Sequence, residues 1–398
     1  MNLKRSRDSA TFKVVLLSIG HLLNDIHGNF LATFLPSIIQ RLGLSLTQAG
    51  VLTSLSGVLN LIMQPMLGYM SDRTRRPLLI AFGPLITALG AAFLPVSPSF
   101  GMAFMLVGIW SAGSAMFHPQ GLGAVGYVSS PGNISFHLSI FQLGGTLGMT
   151  LSPLYAIGLV NIIGYRWMPL VCVLPVTFLA AAYFILIPRV HENPADTEGV
   201  KEGMFLTIFR VFLKVWPVWS AAFTRDLFTQ AIRFLLPIII ASSGGGLREI
   251  GTTLFFLNLS RSILTVIIAR ISDRVGRKEI LLFTLWVTPV LIVPSIYLNG
   301  VVSSILLTSG FALVGSTLPI TAGTAQELAP ENRSIAGSIL MGLSFGLSGM
   351  MMTFIGGLAD LIGLQKTMLM VALLPFISVL IVMKYWREAG SDPRNIQK

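Results

Sequence analysis

Apolar residues run along this chain in long blocks, separated by short breaks rich in charge, glycine or proline, and rarely alternate with polar ones. Blocks of such length exceed what a strand uses, so the pattern predicts helix throughout. Bounding the blocks at their breaks gives twelve segments, at about 12–40, 46–70, 78–96, 100–128, 134–160, 165–188, 207–241, 249–271, 279–298, 301–328, 333–360 and 364–386. Each meets or approaches the roughly 20 residues that cross a bilayer's hydrocarbon core. The first block is too long and too interrupted by polar residues for the apolar core of a cleaved leader, and is read as a permanent span. A single long polar connection, Arg189 to Gly203, divides the chain almost in half. It predicts an N-terminal six-helix bundle at 1–188, a cytoplasmic linker at 189–206 and a C-terminal six-helix bundle at 207–398.

Composition sharpens the picture. Of 398 residues, 53% are hydrophobic and only 11% charged, with a mean hydropathy of +0.78. Soluble domains carry roughly 25% charged residues, so a water-solvated fold of this size is excluded and an all-α membrane protein is expected. The net charge of +11 does not point to nucleic acid, because the basic residues form short clusters between apolar runs and not one exposed face. Those clusters, at 4–13, 73–76, 189–214, 270–278 and 384–398 together with Arg333, fall on one side of the layout, while Arg41, Arg166, Arg248 and Lys366 mark the other. The positive-inside rule assigns the richer side to the cytoplasm, placing both termini there and the protein in the plasma (inner) membrane. Cys172 is the single cysteine, which excludes an intramolecular disulfide or a cysteine-based zinc site. No metal-ligand set and no phosphate-cradling G-x-x-x-x-G-K-[ST] run is found, so no cofactor is expected beyond an ion gradient as energy source.

The two halves repeat. Asp25 and Asp226, Pro36 and Pro237, Gly50 and Gly251, Asp72 and Asp273, Gly145 and Gly346, and Gly148 and Gly349 are each separated by 201 residues, and Arg73 and Arg76 fall on Arg274 and Arg277 at the same offset. Such agreement across five regions indicates six helices duplicated into twelve. Parallel six-span halves are the architecture of the major facilitator superfamily. The segment Gly68-Tyr69-Met70-Ser71-Asp72-Arg73-Thr74-Arg75-Arg76 resembles that superfamily's G-x-x-x-D-R-x-G-R/K loop, and Ala269 to Lys278 is its second copy, with Gly276 in place. Arg75 replaces a glycine in the first and Ala269 the leading glycine in the second. A carboxylate at such a turn can accept hydrogen bonds from a neighbouring helix N-terminus and pair with arginine. Gly68, Asp72, Arg73, Arg76, Asp273, Arg274, Gly276, Arg277 and Lys278 are therefore the gating candidates, joined by Gln326 and Glu327, where Glu327 is placed to pair with a basic loop across the bundle interface. A topology anchor of basic residues without gating is the plainer alternative.

A narrower resemblance lies within the spans. Gly20-His21 with Asn24-Asp25, Phe117-His118-Pro119, Phe141-Gln142-Leu143-Gly144-Gly145, Gln326-Glu327-Leu328 with Pro330, and Gly357-Leu358-Ala359-Asp360 together resemble the fosmidomycin-resistance family of major facilitator transporters. That resemblance implies proton-driven export of small anionic compounds. In drug antiporters of the superfamily the fourth span often carries an arginine for proton relay; no arginine occurs between Arg76 and Arg166 here, and His118 is the substitute.

Charged side chains inside spans carry the remaining signal, since each costs about 2.5–3.5 kcal/mol at mid-bilayer on insertion scales. Asp25 lies in the first span with His21 one turn earlier on the same face, and a carboxylate beside an imidazole can hold and release a proton. Asp25, His21, His118 and the repeat mate Asp226 are the proton-coupling candidates, against a structural role in which Asp25 bonds a helix end. Arg225, Arg233 and Arg261 set three guanidinium groups against two carboxylates, which favours an anion; with Asn24, Phe117 and Gln142 they are the substrate-binding candidates. A simple neutralising pair of Arg225 with Asp226 is the competing reading. Gly144, Gly145 and Gly148 in the fifth span and Gly342, Gly346 and Gly349 in the eleventh are helix-packing positions. The expected protein is a monomeric secondary transporter, not an enzyme, whose partners are the lipid bilayer and a small, anionic drug or metabolite, moved by proton antiport. A proton-coupled importer, and from another class a uniporter, channel or receptor, are the alternatives.

Overall fold

The computed structural model describes residues 10–72, 76–129, 133–187, 189, 204–329 and 332–386; among these there are helices and no strands. Within helices, the side chains of Pro65, Gly68, Tyr69, Ser71, Asp72, Ile134, Ser135, Met204, Phe205, Asp273, Arg333 and Ser334 are not described. Ten helices are long and apolar enough to cross a membrane. One of them covers two predicted spans, and the first predicted span is present as two shorter helices, so the layout is that of twelve transmembrane helices. Packing divides the chain into two compact units, Met1–Thr197 with Ile240–Phe255, and Glu198–Ile239 with Phe256–Lys398.

In the first unit the helices are α1 (Ala10–Gly28), α2 (Phe30–Leu42), α3 (Leu46–Asp72), α4 (Leu78–Phe93), α5 (Phe100–Val128) and α6 (Ile134–Leu186). The first span is interrupted at Asn29, just beyond Asp25 and His27, where the sequence pattern predicts an unbroken run. The carbonyls freed by the interruption find side-chain donors: Asn29 Nδ2 donates to the Asp25 carbonyl at 2.8 Å and Ser152 Oγ to that of Ile26 at 2.6 Å. A helix can break inside a membrane only where its backbone groups are satisfied again in this way. The predicted fifth and sixth spans are two helices, labelled together as α6, that meet at Gly164, whose φ of 70° and ψ of 172° are not helical. Only glycine adopts that combination readily, and it turns the chain without a loop.

α1 lies at the centre of its unit's packing, chiefly against α6. Val14, Leu17, Ile80, Phe117, Phe141 and Tyr183 form a buried cluster around it. Ser18 Oγ donates to the Ile140 carbonyl at 2.7 Å, and Tyr183 OH to that of Leu16 at 3.1 Å. A Cβ on Gly144 would strike the Ser18 carbonyl, one on Gly145 the His21 ring, and one on Gly148 would lie 2.5 Å from the Leu22 carbonyl oxygen. α4 and α5 meet equally closely at Gly83 and Gly113.

The second half of the chain repeats this plan with more interruptions. Its helices are α7 (Met204–Ser242), α8 (Leu247–Val275), α9 (Arg277–Tyr297), α10 (Gly300–Gly315), α11 (Leu318–Leu328), α12 (Arg333–Ser338), α13 (Ser344–Met350), α14 (Met352–Ile362) and α15 (Leu364–Tyr385), with a π-helical stretch at Ile339–Leu343. The tenth and eleventh predicted spans are thus broken into shorter helices. The correspondence between halves is visible in side-chain bonds: Gln230 on α7 donates to Ser348 Oγ at 2.5 Å as Ser18 on α1 bonds α6, and Thr224 on α7 pairs with Ser378 on α15 at 2.6 Å. Gly363, with φ 88° and ψ 158°, turns the chain between the last two spans as Gly164 does in the first half. Gly346 and Gly349 are buried in α13, whereas a Cβ on Gly342 would meet no atom within 4 Å.

The glycine contacts yield a stability prediction. In Gly113→Ala the added Cβ would lie 2.5 Å from the Thr87 nitrogen and 2.6 Å from the Gly83 oxygen, both backbone atoms, so α4 and α5 must separate. A loss of about 1–3 kcal/mol is expected, read as a lowered melting temperature in detergent. Gly101→Ala, with nothing within 4 Å of the new carbon, should leave the melt unchanged or raise it slightly.

Candidate functional site

The apolar environment of the first unit dictates how a carboxylate inside it must be held. Asp25 on α1 is nearly buried, at 13% side-chain exposure. Asn24 Nδ2 donates to its Oδ1 at 3.0 Å, His21 Nε2 stands 3.4 Å from Oδ2, and His118 Nε2, from α5, stands 3.6 Å from Oδ1. The side chain of His21 is 6% exposed and that of His118 29%, so the cluster opens on the His118 side. His21 and Asp25 meet because they are four residues apart on one helix. His118 arrives by tertiary packing, from the residue before Pro119, and its ring meets that of His21 edge-on at 5.2 Å.

A shell of polar groups fixes this arrangement. His21 Nδ1 lies 2.9 Å from the Phe141 carbonyl, and the His21 ring stacks on Phe141 at 4.3 Å between centroids. A carbonyl can only accept, so Nδ1 carries the hydrogen of that bond. Thr87 Oγ1 donates to Asn24 Oδ1 at 3.0 Å, which turns the Asn24 amide nitrogen toward Asp25 and toward Ser114 Oγ at 3.4 Å. Ser114 Oγ is in turn 3.3 Å from His118 Nε2. Thr87, Ser114 and the Phe141 carbonyl were not singled out by the sequence reading. Ser114 had a signal, as it precedes His118 by one helical turn; a backbone carbonyl has none. His21, Asp25 and His118 each offer one ligand atom, and all three atoms lie within 4.8 Å of one another.

Other sequence-predicted residues of this unit lie apart or take different roles. Asn24 and Phe117 are fully buried, so in this conformation they present no surface to a solute; Asn24 orients Asp25, and Phe117 packs beside His21 at 5.7 Å. Gln142 is exposed. His27 donates from Nδ1 to the Leu23 carbonyl of its own helix at 2.7 Å and packs against Phe30 and Tyr155, away from Asp25. Arg76 is exposed, and its carbonyl accepts from Gln120 Nε2 at 3.3 Å, while Gln120 Oε1 accepts from the first free amides of α4, Leu79 and Ile80, at 2.8 and 2.9 Å. Gln120, fully buried, thus ties the end of the basic loop to α5 two residues beyond His118, a role the sequence reading missed. The side chains of Gly68 and Asp72, the whole of Arg73, and the linker residues 190–203 lie outside the described residues.

In the second unit the repeat mate of Asp25 has a different partner. Arg225, 2% exposed, holds Asp226 through two bonds, Nε to Oδ1 at 2.8 Å and Nη2 to Oδ2 at 2.9 Å, and its Nη1 donates to Thr321 Oγ1 at 2.9 Å. This bidentate fork is the strong form of the arginine–carboxylate pair. Arg233 Nη2 donates to Asn258 Oδ1 at 2.8 Å. Arg261 on α8 lies along Gly315, where a Cβ would be 2.8 Å from its Cδ; a side chain there would displace it.

Glu327, placed by the sequence reading to reach a basic loop across the bundle interface, is paired within its own half. Arg277 Nη1, at the start of α9, meets Glu327 Oε2 at 2.6 Å, and the guanidinium lies over Gly323 on α11. The α8–α9 turn at Gly276, with φ 122°, sets Arg277 at a helix start beside the end of α11, within reach of Glu327. Arg274 and Gln326 are exposed, Lys278 is half-buried, and the Asp273 side chain lies outside the described residues.

Comparison with known proteins gives the family. A Major Facilitator Superfamily model matches residues 17–353. An uncharacterized MFS-type transporter of Bacillus subtilis (strain 168), YfnC, is 27% identical over 374 residues, spanning 92% of this chain and 91% of the relative. The fosmidomycin resistance protein of Escherichia coli (strain K12) is 25% identical over 383 residues, with the same coverage of 92% and 91%. Among solved structures, a bacterial homologue of the human lysosomal transporter Spinster, inward-facing and occupied, superposes with a TM-score of 0.77 at 16% identity, covering 94% of this chain and 96% of that one. A variant of the nucleoside transporter NupG superposes at 0.73 with 14% identity, covering 94% and 100%. With the twelve-helix layout and its duplicated half, these matches identify the chain as a member of the Major Facilitator Superfamily, a multi-pass membrane protein of the secondary-transporter class.

Proposed function

We propose that this protein exports a small organic anion in exchange for protons, by alternating access. The observation that carries the reading is the Asp25 carboxylate, set between the imidazoles of His21 and His118 inside an apolar bundle. A charge so placed is costly, and a proton taken up by the cluster changes its charge by one unit where water cannot screen the change. Two conformations that differ in access to the cluster then differ in proton affinity, and a gradient biases one over the other. Arg225 and Asp226 form a pair of a different kind, in which one guanidinium holds the carboxylate through two hydrogen bonds. Arg233, two turns further along α7, and Arg261 on α8 add positive charge that suits an anionic solute. The basic loop at 68–76 serves as a latch, and the Arg277–Glu327 pair ties α9 to α11 within its own half. The fosmidomycin resistance of the Escherichia coli relative supports export and makes fosmidomycin the first compound to try. The basic clusters support a topology with both termini in the cytoplasm of a protein of the plasma membrane, and the repeat suits a monomer.

Two experiments in proteoliposomes test this. With fosmidomycin and a panel of small carboxylates and phosphates, an imposed pH gradient should drive accumulation of at least one anion against its concentration gradient, with proton movement in the opposite direction. Asp25→Asn should abolish that gradient-driven accumulation and retain solute counterflow; accumulation at the normal level in Asp25→Asn would refute coupling at this residue, and proton movement in the same direction as the anion would make the protein an importer. For the transported anion, Arg261→Ala should raise KM about 10- to 100-fold, the loss expected for a charged hydrogen bond of roughly 1.5–3 kcal/mol, without a fall in melting temperature. An unchanged KM would remove Arg261 from the solute site.

A further inference from the structure

The hydrogen bonds around Asp25 specify more than a proton site. His21 Nδ1 is committed as a donor to the Phe141 carbonyl at 2.9 Å, so in the neutral ring Nε2 is the lone-pair nitrogen, and it is Nε2 that faces Asp25 Oδ2 at 3.4 Å. His118 Nε2 stands 3.6 Å from Asp25 Oδ1 and 3.3 Å from Ser114 Oγ. In the neutral ring protonated at Nδ1, the one lone pair of Nε2 can turn from the Ser114 hydroxyl to an ion beside Asp25. One ligand atom from each of His21, Asp25 and His118 then converges within 4.8 Å of the other two, a set that a single cation can serve.

We propose that His21, Asp25 and His118 form a binding site for a divalent transition-metal ion of the Zn2+ class. Imidazole and carboxylate together select borderline ions of this kind over Mg2+ or Ca2+, which take oxygen ligands. Zinc bonds of about 2.0–2.2 Å in tetrahedral geometry put neighbouring ligand atoms about 3.3–3.5 Å apart; here each imidazole stands beside its own Asp25 oxygen, at 3.4 Å from Oδ2 and 3.6 Å from Oδ1, and the three ligand atoms lie within 4.8 Å of one another, so the side chains draw together by about an ångström to close on one ion. The outer groups have the form such sites use, with the far nitrogen of His21 bonded to a backbone carbonyl and Asp25 held by Asn24, which Thr87 orients. Three protein ligands leave a fourth position for water or an incoming group, and the 29% exposure of the His118 side chain provides the approach. Metal and coupling proton are alternative occupants of one cluster, each bringing positive charge to the three atoms. The inference goes beyond the transport reading and stands without it, because binding is a property of the purified protein whether or not any solute is moved.

The test is Zn2+ titration of the full-length, tag-free, chelator-stripped protein in detergent, by calorimetry, with Co2+ absorption spectra as a report on ligand geometry. One Zn2+ per chain is expected, together with the visible bands of four-coordinate Co2+. His118→Ala and Asp25→Asn should each weaken Zn2+ binding at least tenfold, the lower end of what loss of even an outer-shell partner costs a metal site. His191→Ala, in the polar linker, should bind as the unaltered protein does. Absence of stoichiometric Zn2+ binding, or equal affinity in His118→Ala with its melting temperature intact, would overturn the proposal. Should Asp25→Asn fail to fold, His118→Ala alone decides. Zinc binding in a protein that shows no gradient-driven transport would leave this site standing and remove only the coupling role.

Discussion

Keeping the Asp25 carboxylate inside an apolar helical bundle is the constraint around which the first half is built. On insertion scales such a group costs about 2.5–3.5 kcal/mol at mid-bilayer, so every element near it contributes a compensating dipole or a close approach. α1 supplies His21 and Asn24, α4 supplies Thr87 to orient Asn24, α5 supplies His118 and Ser114, and α6 supplies the Phe141 carbonyl that orients His21. Those bonds require α6 to lie almost in contact with α1, and that is what Gly144, Gly145 and Gly148 permit, each at a point where a methyl group would collide with α1. The break at Asn29 belongs to the same arrangement, since its amide and the Ser152 hydroxyl satisfy carbonyls at and just after Asp25.

The two halves share a plan and have parted in chemistry. Asp25 and Asp226 occupy matching places in the repeat, and the helices that carry them make matching contacts with the fifth and sixth spans of their own halves. Yet one carboxylate faces imidazoles and the other is gripped by a guanidinium. An imidazole can change its charge under ordinary conditions and a guanidinium does not. The two halves are thus alike in layout and unlike in the partner that each buried aspartate keeps.

Much of the fold was legible because hydropathy in a bilayer is a strong constraint. The twelve segments follow from it, and even the turn at Gly164 coincides with a gap left between the fifth and sixth blocks. Legibility fell where backbone geometry departs from the ideal helix without a compositional sign. The break at Asn29, the interruption at Ser316 and Thr317 and the π-helical stretch at Ile339–Leu343 all lie within runs that read as continuous. At the site, His21 with Asp25 was readable because one helical turn separates them. The approach of His118 could be named as a candidate but not placed, since α5 is brought there by packing. The Phe141 carbonyl, which decides the tautomer of His21, is invisible to any reading of side-chain identity. Glu327 was correctly seen as a partner for a basic group, and its partner proved to be Arg277 of the same half, because sequence records charge and not direction.

The bend at Gly164 carries a mechanical meaning. Two membrane crossings joined by one residue have no slack between them, whereas a flexible loop would let each tilt alone. Gly363 joins the last two crossings with nearly the same backbone angles, so in each half the final pair of helices acts as a single lever folded on itself. Any tilt of its first arm, which in the first half packs against α1 beside Asp25, therefore carries the near end of the second arm with it.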